Sequence, residues 1–237
     1  MTSVVVGLVV GVLVLNGVLG VVNRKSLFAR LDGDEAQRVR VFRNTIAGAW
    51  ALAAIAALIV VAPADELRPS DVGWTWPANA ALTALLAVLA LGMSIGSAAQ
   101  IRRHMRAGRP SPLPPELTVL LPRTPRERRL VAGLAVTAGV TEEVVYRGFL
   151  IGAVIAVFGA PPLLAAALSL LLFVAAHAYQ GRQGLVGASA AGLLLTLLYL
   201  VSGSILPGIV VHAVQDLVSL LTVPAAATPA EDPAAQD

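Results

Sequence analysis

Thr141-Glu142-Glu143-Val144-Val145-Tyr146-Arg147-Gly148 sets two adjacent carboxylates and a guanidinium inside a run, Leu130 to Gly159, that is otherwise apolar. A charge at the centre of a membrane helix costs about 2.5–3.5 kcal/mol even on lenient insertion scales, so such groups mark function by default. Helical spacing organises them. Glu143 and Arg147 stand i, i+4 on one face, as do Glu142 and Tyr146. The second glutamate therefore has a partner available and the first is left free.

The chain around this stretch is a membrane chain. Of its 237 residues 57% are hydrophobic and 13% charged, with a mean hydropathy of +0.80, where a soluble domain carries about 25% charge. There is no cysteine, which excludes disulfides, cysteine-bound zinc and a cysteine nucleophile. The net charge of +3 does not point to nucleic acid, because the basic residues lie in loops between apolar runs. Six fall between Arg24 and Arg43 and eight between Arg102 and Arg129, as the positive-inside rule requires of cytoplasmic loops. One lysine against sixteen arginines, with abundant Ala, Val, Leu and Gly, has the character of a GC-rich bacterial genome.

The apolar runs are Ser3–Val22, Asn44–Ala62, Ala80–Ile101, Leu130–Gly159, Pro162–Ala178, Leu185–Val201 and Ile205–Val223. They predict an all-α bundle of about seven spans with the N-terminus outside and the C-terminus inside, or eight if Leu130–Gly159 crosses twice. Thirty residues make about 45 Å of straight helix, more than a core of about 30 Å, so that run needs a break, at Gly148 or at Gly159-Ala160-Pro161-Pro162. Trp74 and Trp76 are expected as interface anchors of an outer loop, 63–79. Four regions follow: a three-span part, 1–101; a basic, proline-rich cytoplasmic loop, 102–123; a core, 124–223; and an acidic Ala/Pro-rich tail, 224–237, expected to be disordered. The core opens on Thr124-Pro125-Arg126-Glu127, the pattern of an N-cap, a first-turn proline and a capping-box glutamate.

Six ionisable groups lie in the apolar runs after Leu130, namely Glu142, Glu143, Arg147, His177, His212 and Asp216, and the first three spans carry none. Phe173 and His177 share the i, i+4 spacing, as do His212 and Asp216. Helical rise puts Glu142 and His212 at a similar depth and His177 about 10 Å nearer the cytoplasm, a gap that tilt or a displaced helix start must close. Two imidazoles and a carboxylate are the donors of an open zinc site, in which a further glutamate takes a proton from bound water. Alternatively, Glu142 activates water without a metal while the histidines polarise the scissile carbonyl. Both readings give hydrolysis. A helix-packing role for the pairs, or proton-coupled transport, uses the same groups.

Glu-Glu-x-x-x-Arg at Glu142–Arg147, Phe-x-x-x-His at Phe173–His177 and His-x-x-x-Asp at His212–Asp216 resemble the three motifs of the CPBP intramembrane proteases. That family includes CAAX prenyl proteases and bacteriocin-processing and immunity proteins. The resemblance covers about Thr124 to Leu220 and implies a bacterial inner-membrane (metallo)endopeptidase acting on a peptide or membrane-protein substrate. It implies Glu142 as the residue that activates water and Glu143, His177 and His212 as its catalytic companions, with Arg147 and Phe173 as support. Where Zn2+ takes part, it implies His177 and His212 as ligands beside Glu142 or Asp216. The third motif usually ends in Asn, and an ionised Asp216 cannot donate a hydrogen bond to an oxyanion. Either it is protonated or it orients His212 from behind, which favours the metal reading. A catalytically silent immunity or binding protein on the same scaffold is the alternative.

Overall fold

The computed structural model describes residues 2–61, 67–113 and 115–223, and every regular element among them is helical. The α-helices are α1 (Thr2–Val22), α2 (Arg24–Asp32), α3 (Glu35–Val61), α4 (Ala80–Arg106), α5 (Pro115–Thr118), α6 (Pro125–Glu142), α7 (Gly152–Phe158), α8 (Pro162–Ala176), α9 (Gly181–Ser202) and α10 (Leu206–Leu221). A π-helical segment, Glu143–Ile151, joins α6 to α7, and 3-10 turns occupy Pro69–Val72 and Ala178–Gln180.

By length and composition three helical stretches are able to cross a membrane: α3, α4 and Ala178–Ser202. The pair α1 and α2, bent by 64°, makes a fourth if it counts as one span. The count falls short of seven for physical reasons. At 1.5 Å per residue α8 and α10 reach only about 22–24 Å, and the rod from α6 to α7 carries the buried charges. The basic segment 24–43, read from sequence as a loop, is helical on either side of Gly33-Asp34, where Asp34 Oδ1 accepts the Gln37 backbone N–H at 2.7 Å and so caps α3 nine residues before Asn44. The acidic tail lies outside the described residues.

The run from Leu130 to Gly159 does not break at Gly148. The helix widens from i→i+4 to i→i+5 bonding at Glu143 and ends at Gly159, whose φ of 64° provides the left-handed cap. This rod is the axis of the bundle: α6 packs between α3 and α10, while the π segment packs against α3 and α8. Close crossing requires small residues. A Cβ on Gly139 would stand 2.6 Å from the Ala213 backbone N of α10.

The two ends of the bundle differ. At one, residues 67–79 fold over the helices: the Ile205 N–H donates to Gly73 O at 3.0 Å, the Ala78 N–H to Ser202 O at 2.7 Å, and Asn79 Nδ2 to Val201 O at 3.1 Å. Trp76 is exposed, as an interface anchor would be, whereas Trp74 packs into two core clusters instead. At the other end, buried Arg38 of α3 bonds Glu127 Oε1 at 2.7 Å, Val119 O at 2.8 Å, Leu121 O at 2.9 Å and also Leu31 O. One side chain thus ties α2, the 119–121 turn and the start of α6 together.

Candidate active site

The site begins where α6 begins. Thr124 Oγ1 accepts the Glu127 N–H at 3.2 Å, as expected of an N-cap. The Glu127 carboxylate does not reach back to the cap residue, as a capping box would have it. It accepts the Arg123 N–H at 2.7 Å and faces Arg38. Fixed at that end, α6 delivers Glu142 at its last turn, where the helix widens.

Glu143, the first π-helical residue, is fully buried and holds two neighbours through one oxygen. Arg147 Nη1 and His212 Nδ1 each lie 2.9 Å from its Oε1. Arg147 also donates through Nη2 to Gly192 O of α9 at 3.0 Å, and its guanidinium lies over the Phe173 ring at 4.3 Å. Phe173 in turn meets the His177 ring at a centroid distance of 4.4 Å. An ion pair, a carbonyl and two aromatic contacts therefore join the π segment, α8, α9 and α10 behind the exposed face of the site.

The tautomers follow from the bonds. A carboxylate and a carbonyl only accept, so His212 Nδ1 donates to Glu143 and His177 Nδ1 donates to Phe173 O at 2.8 Å. Both Nε2 atoms are left facing Glu142, and each stands 3.9 Å from its Oε2. That oxygen is buried and has no hydrogen-bond partner. Asp216 Oδ2 is likewise 3.9 Å from His212 Nε2. The face of His212 that an orienting carboxylate would occupy, at Nδ1, belongs to Glu143. Asp216 lies instead on the Nε2 side, with the groups able to react.

These atoms open into a cavity of about 510 Å³ lined by Glu142, His177, His212 and Asp216 together with largely apolar side chains of α3, α4 and α9 and with Leu113, Leu117, Leu120 and Leu121. Gln215 lines it as well: its Nε2 makes a long 3.4 Å bond to Ala90 O, and its Oε1 is buried without a partner. Sequence reading passed over Gln215 and Gly192. The i+3 relation of Gln215 to His212 was a signal for the first, but nothing local marks a glycine whose carbonyl matters.

The donor chemistry suits zinc: two imidazoles with Nε2 available, and a buried carboxylate oxygen lacking a partner. The spacing is open. Two ligands at zinc distances in a tetrahedron stand about 3.3 Å apart, against 3.9 Å here. No three such side chains among the described residues stand close enough to enclose an ion.

Residues 126–218, less than half of the chain, match the family model described as Rce1-like, type II CAAX prenyl endopeptidase Rce1-like. Over this segment the chain is similar to that family, and the similarity extends no further along it. No curated protein and no solved structure matches it. The matched segment runs from the first turn of α6 into α10 and contains every group just described around Glu142; α1 to α5 lie outside it.

Proposed function

We propose that this chain is a CPBP-family intramembrane endopeptidase in which Glu142 activates the attacking water. One observation carries the reading: the buried, unpartnered Glu142 Oε2 faces the Nε2 atoms of two histidines whose Nδ1 atoms are already engaged. Groups 3.9 Å apart are both within hydrogen-bond reach, about 2.8 Å, of one water between them. Glu142 takes a proton from that water, the oxygen adds to the scissile carbonyl, and the same proton passes to the leaving amine as the C–N bond breaks. His177 Nε2 holds the water. When His212 carries a second proton, on Nε2, that atom donates to the oxyanion.

Bound zinc would be held by His177 and His212 with Glu142 or Asp216, and would supply a more acidic water and a polarised carbonyl. The chain is read as a bacterial inner-membrane protein with its N-terminus outside and its basic end in the cytoplasm; a total of seven crossings requires α8 and α10, at about 22–24 Å, to span as short helices. Support comes from the end of the bundle that carries Arg38, Arg102, Arg106 and Arg128, toward which the cavity extends along Ile101, Leu121 and Val223. The substrate, a peptide or a membrane-protein segment, enters from that side.

The test compares peptides and membrane-protein fragments in cells making wild-type, Glu142→Gln or His212→Ala protein, with folding checked by thermal unfolding in detergent. Both variants should fold and lose cleavage. Cleavage retained in either removes the mechanism. Metal analysis of purified wild-type protein, beside activity after chelation and zinc return, separates the zinc form from the metal-free one.

A further inference from the structure

A second cavity, of about 340 Å³, lies at the basic end of the bundle, between the last turns of α4 and α10 and the first turn of α6. Arg102, Arg106, Arg128, Pro122 and the end of α10, from Leu221 to Val223, line it, and no carboxylate of the described residues does. Arg102 and Arg106 are i, i+4, so their guanidinium groups share one face of α4. Neither makes a hydrogen bond or ion pair with the described residues. Arg128 is pinned across the notch by donating from Nη1 to Leu221 O at 2.9 Å.

Topology explains why arginines lie on this side, and the α10 carboxyl end explains one cation near its carbonyls. Neither explains why three converge on one hollow, where like charges repel. A phosphate would relieve that repulsion, and guanidinium forks match its oxygens two at a time. The volume equals roughly eleven waters at about 30 Å³ each, which is more than a lone phosphate fills and suits a phosphodiester with its glycerol. Depth gives the source. Arg102 directly follows the apolar run ending at Ile101, and Leu221 ends the apolar part of α10, so the notch lies where hydrocarbon gives way to headgroups. Basic pockets between helices on this side bind anionic headgroups.

We propose that Arg102, Arg106 and Arg128 form a binding site for the phosphodiester headgroup of an anionic phospholipid of the cytoplasmic leaflet. The site depends on membrane placement and not on the protease reading. Val223 lines both this notch and the catalytic cavity, so a bound headgroup sits at the mouth of the latter.

The test is thermal unfolding of the full chain in an uncharged detergent, titrated with phosphatidylglycerol, phosphatidylcholine or inorganic phosphate. Phosphatidylglycerol should raise the midpoint and phosphatidylcholine should not. Arg102→Gln/Arg106→Gln should weaken the phosphatidylglycerol effect at least tenfold; if that variant does not fold, Arg106→Gln, at an exposed position, should weaken it at least threefold. Equal effects of the two lipids, or undiminished binding by the variant, would overturn the proposal. So would inorganic phosphate matching phosphatidylglycerol at equal concentration, which would mark a soluble-anion site. Displacement of the lipid by an equimolar peptide of residues 224–237 would assign the notch to the chain's own acidic tail.

Discussion

Glu143 engages Arg147 and His212 through a single oxygen, and its other oxygen, Oε2, is buried without a partner. Removing it by Glu143→Ala leaves the buried Arg147 charge uncompensated, a loss of about 3–5 kcal/mol. Unfolding in detergent should show that loss, while Glu142→Gln, at a site with no hydrogen bond on Oε2, should stay within about 1 kcal/mol of wild type. Gly208 tests geometry alone. A Cβ there would stand 2.8 Å from Glu143 Oε2, so Gly208→Ala should push the carboxylate and hence His212 out of place. On the proposed mechanism kcat falls at least tenfold and KM changes little, as single-turnover cleavage would show. The Glu143–Arg147 pairing was legible because i, i+4 is local. The shared oxygen, the two tautomers and the Gly192 carbonyl were not, since each depends on residues brought together from distant parts of the chain.

Among elements, the widened helix decides how the site is assembled. A π segment is rare and frequently lies at functional sites, and here it begins at the second glutamate of the motif. Its dihedrals explain why no residue announces it: Glu143 has φ −67° and ψ −41°, ordinary right-handed values, and only the bonding pattern has shifted. Sequence reading therefore saw that the run was too long and offered Gly148 or the Gly159 turn as its break; the helix passes Gly148 and ends at Gly159. The capped start at Thr124 was readable from its residue types, as was the end at Gly159. What sets Glu142 against His212 is the α6–α10 crossing at Gly139 and Ala213. Gly139→Leu should force the helices apart and cost about 1–3 kcal/mol, with cleavage lost even below the lowered midpoint; assays at a temperature where the variant is folded separate the two effects.

At the scale of the whole molecule, the basic end is organised by Arg38 and Glu127, a pairing 89 residues apart that no local pattern foretells. Burial pushes the Glu127 carboxyl up, but hydrogen bonds from Arg38 and the Arg123 N–H, with both guanidinium charges, outweigh it and hold the carboxyl below its ordinary 4.5. A depressed folded-state value means that the native state binds fewer protons than the unfolded one in acid. Its stabilising contribution is therefore complete above about pH 4.5 and lost as pH falls through the folded value. Unfolding in detergent between pH 3 and 7 should show a steeper acid loss in wild type than in Glu127→Gln. The opposite end bears on traffic. Residues 67–79 are sewn to the tips of α9 and α10, and Cβ atoms on Gly148 and Gly152 would stand 2.9 Å from Val72 O and 2.4 Å from Asp71 O, so among the described residues that cover packs directly on the π segment. On the proposed mechanism, substrate and products then exchange at the basic end, where the cavity reaches Ile101, Leu121 and Val223. An exit shared with the entrance makes release of the slower fragment the step to time first.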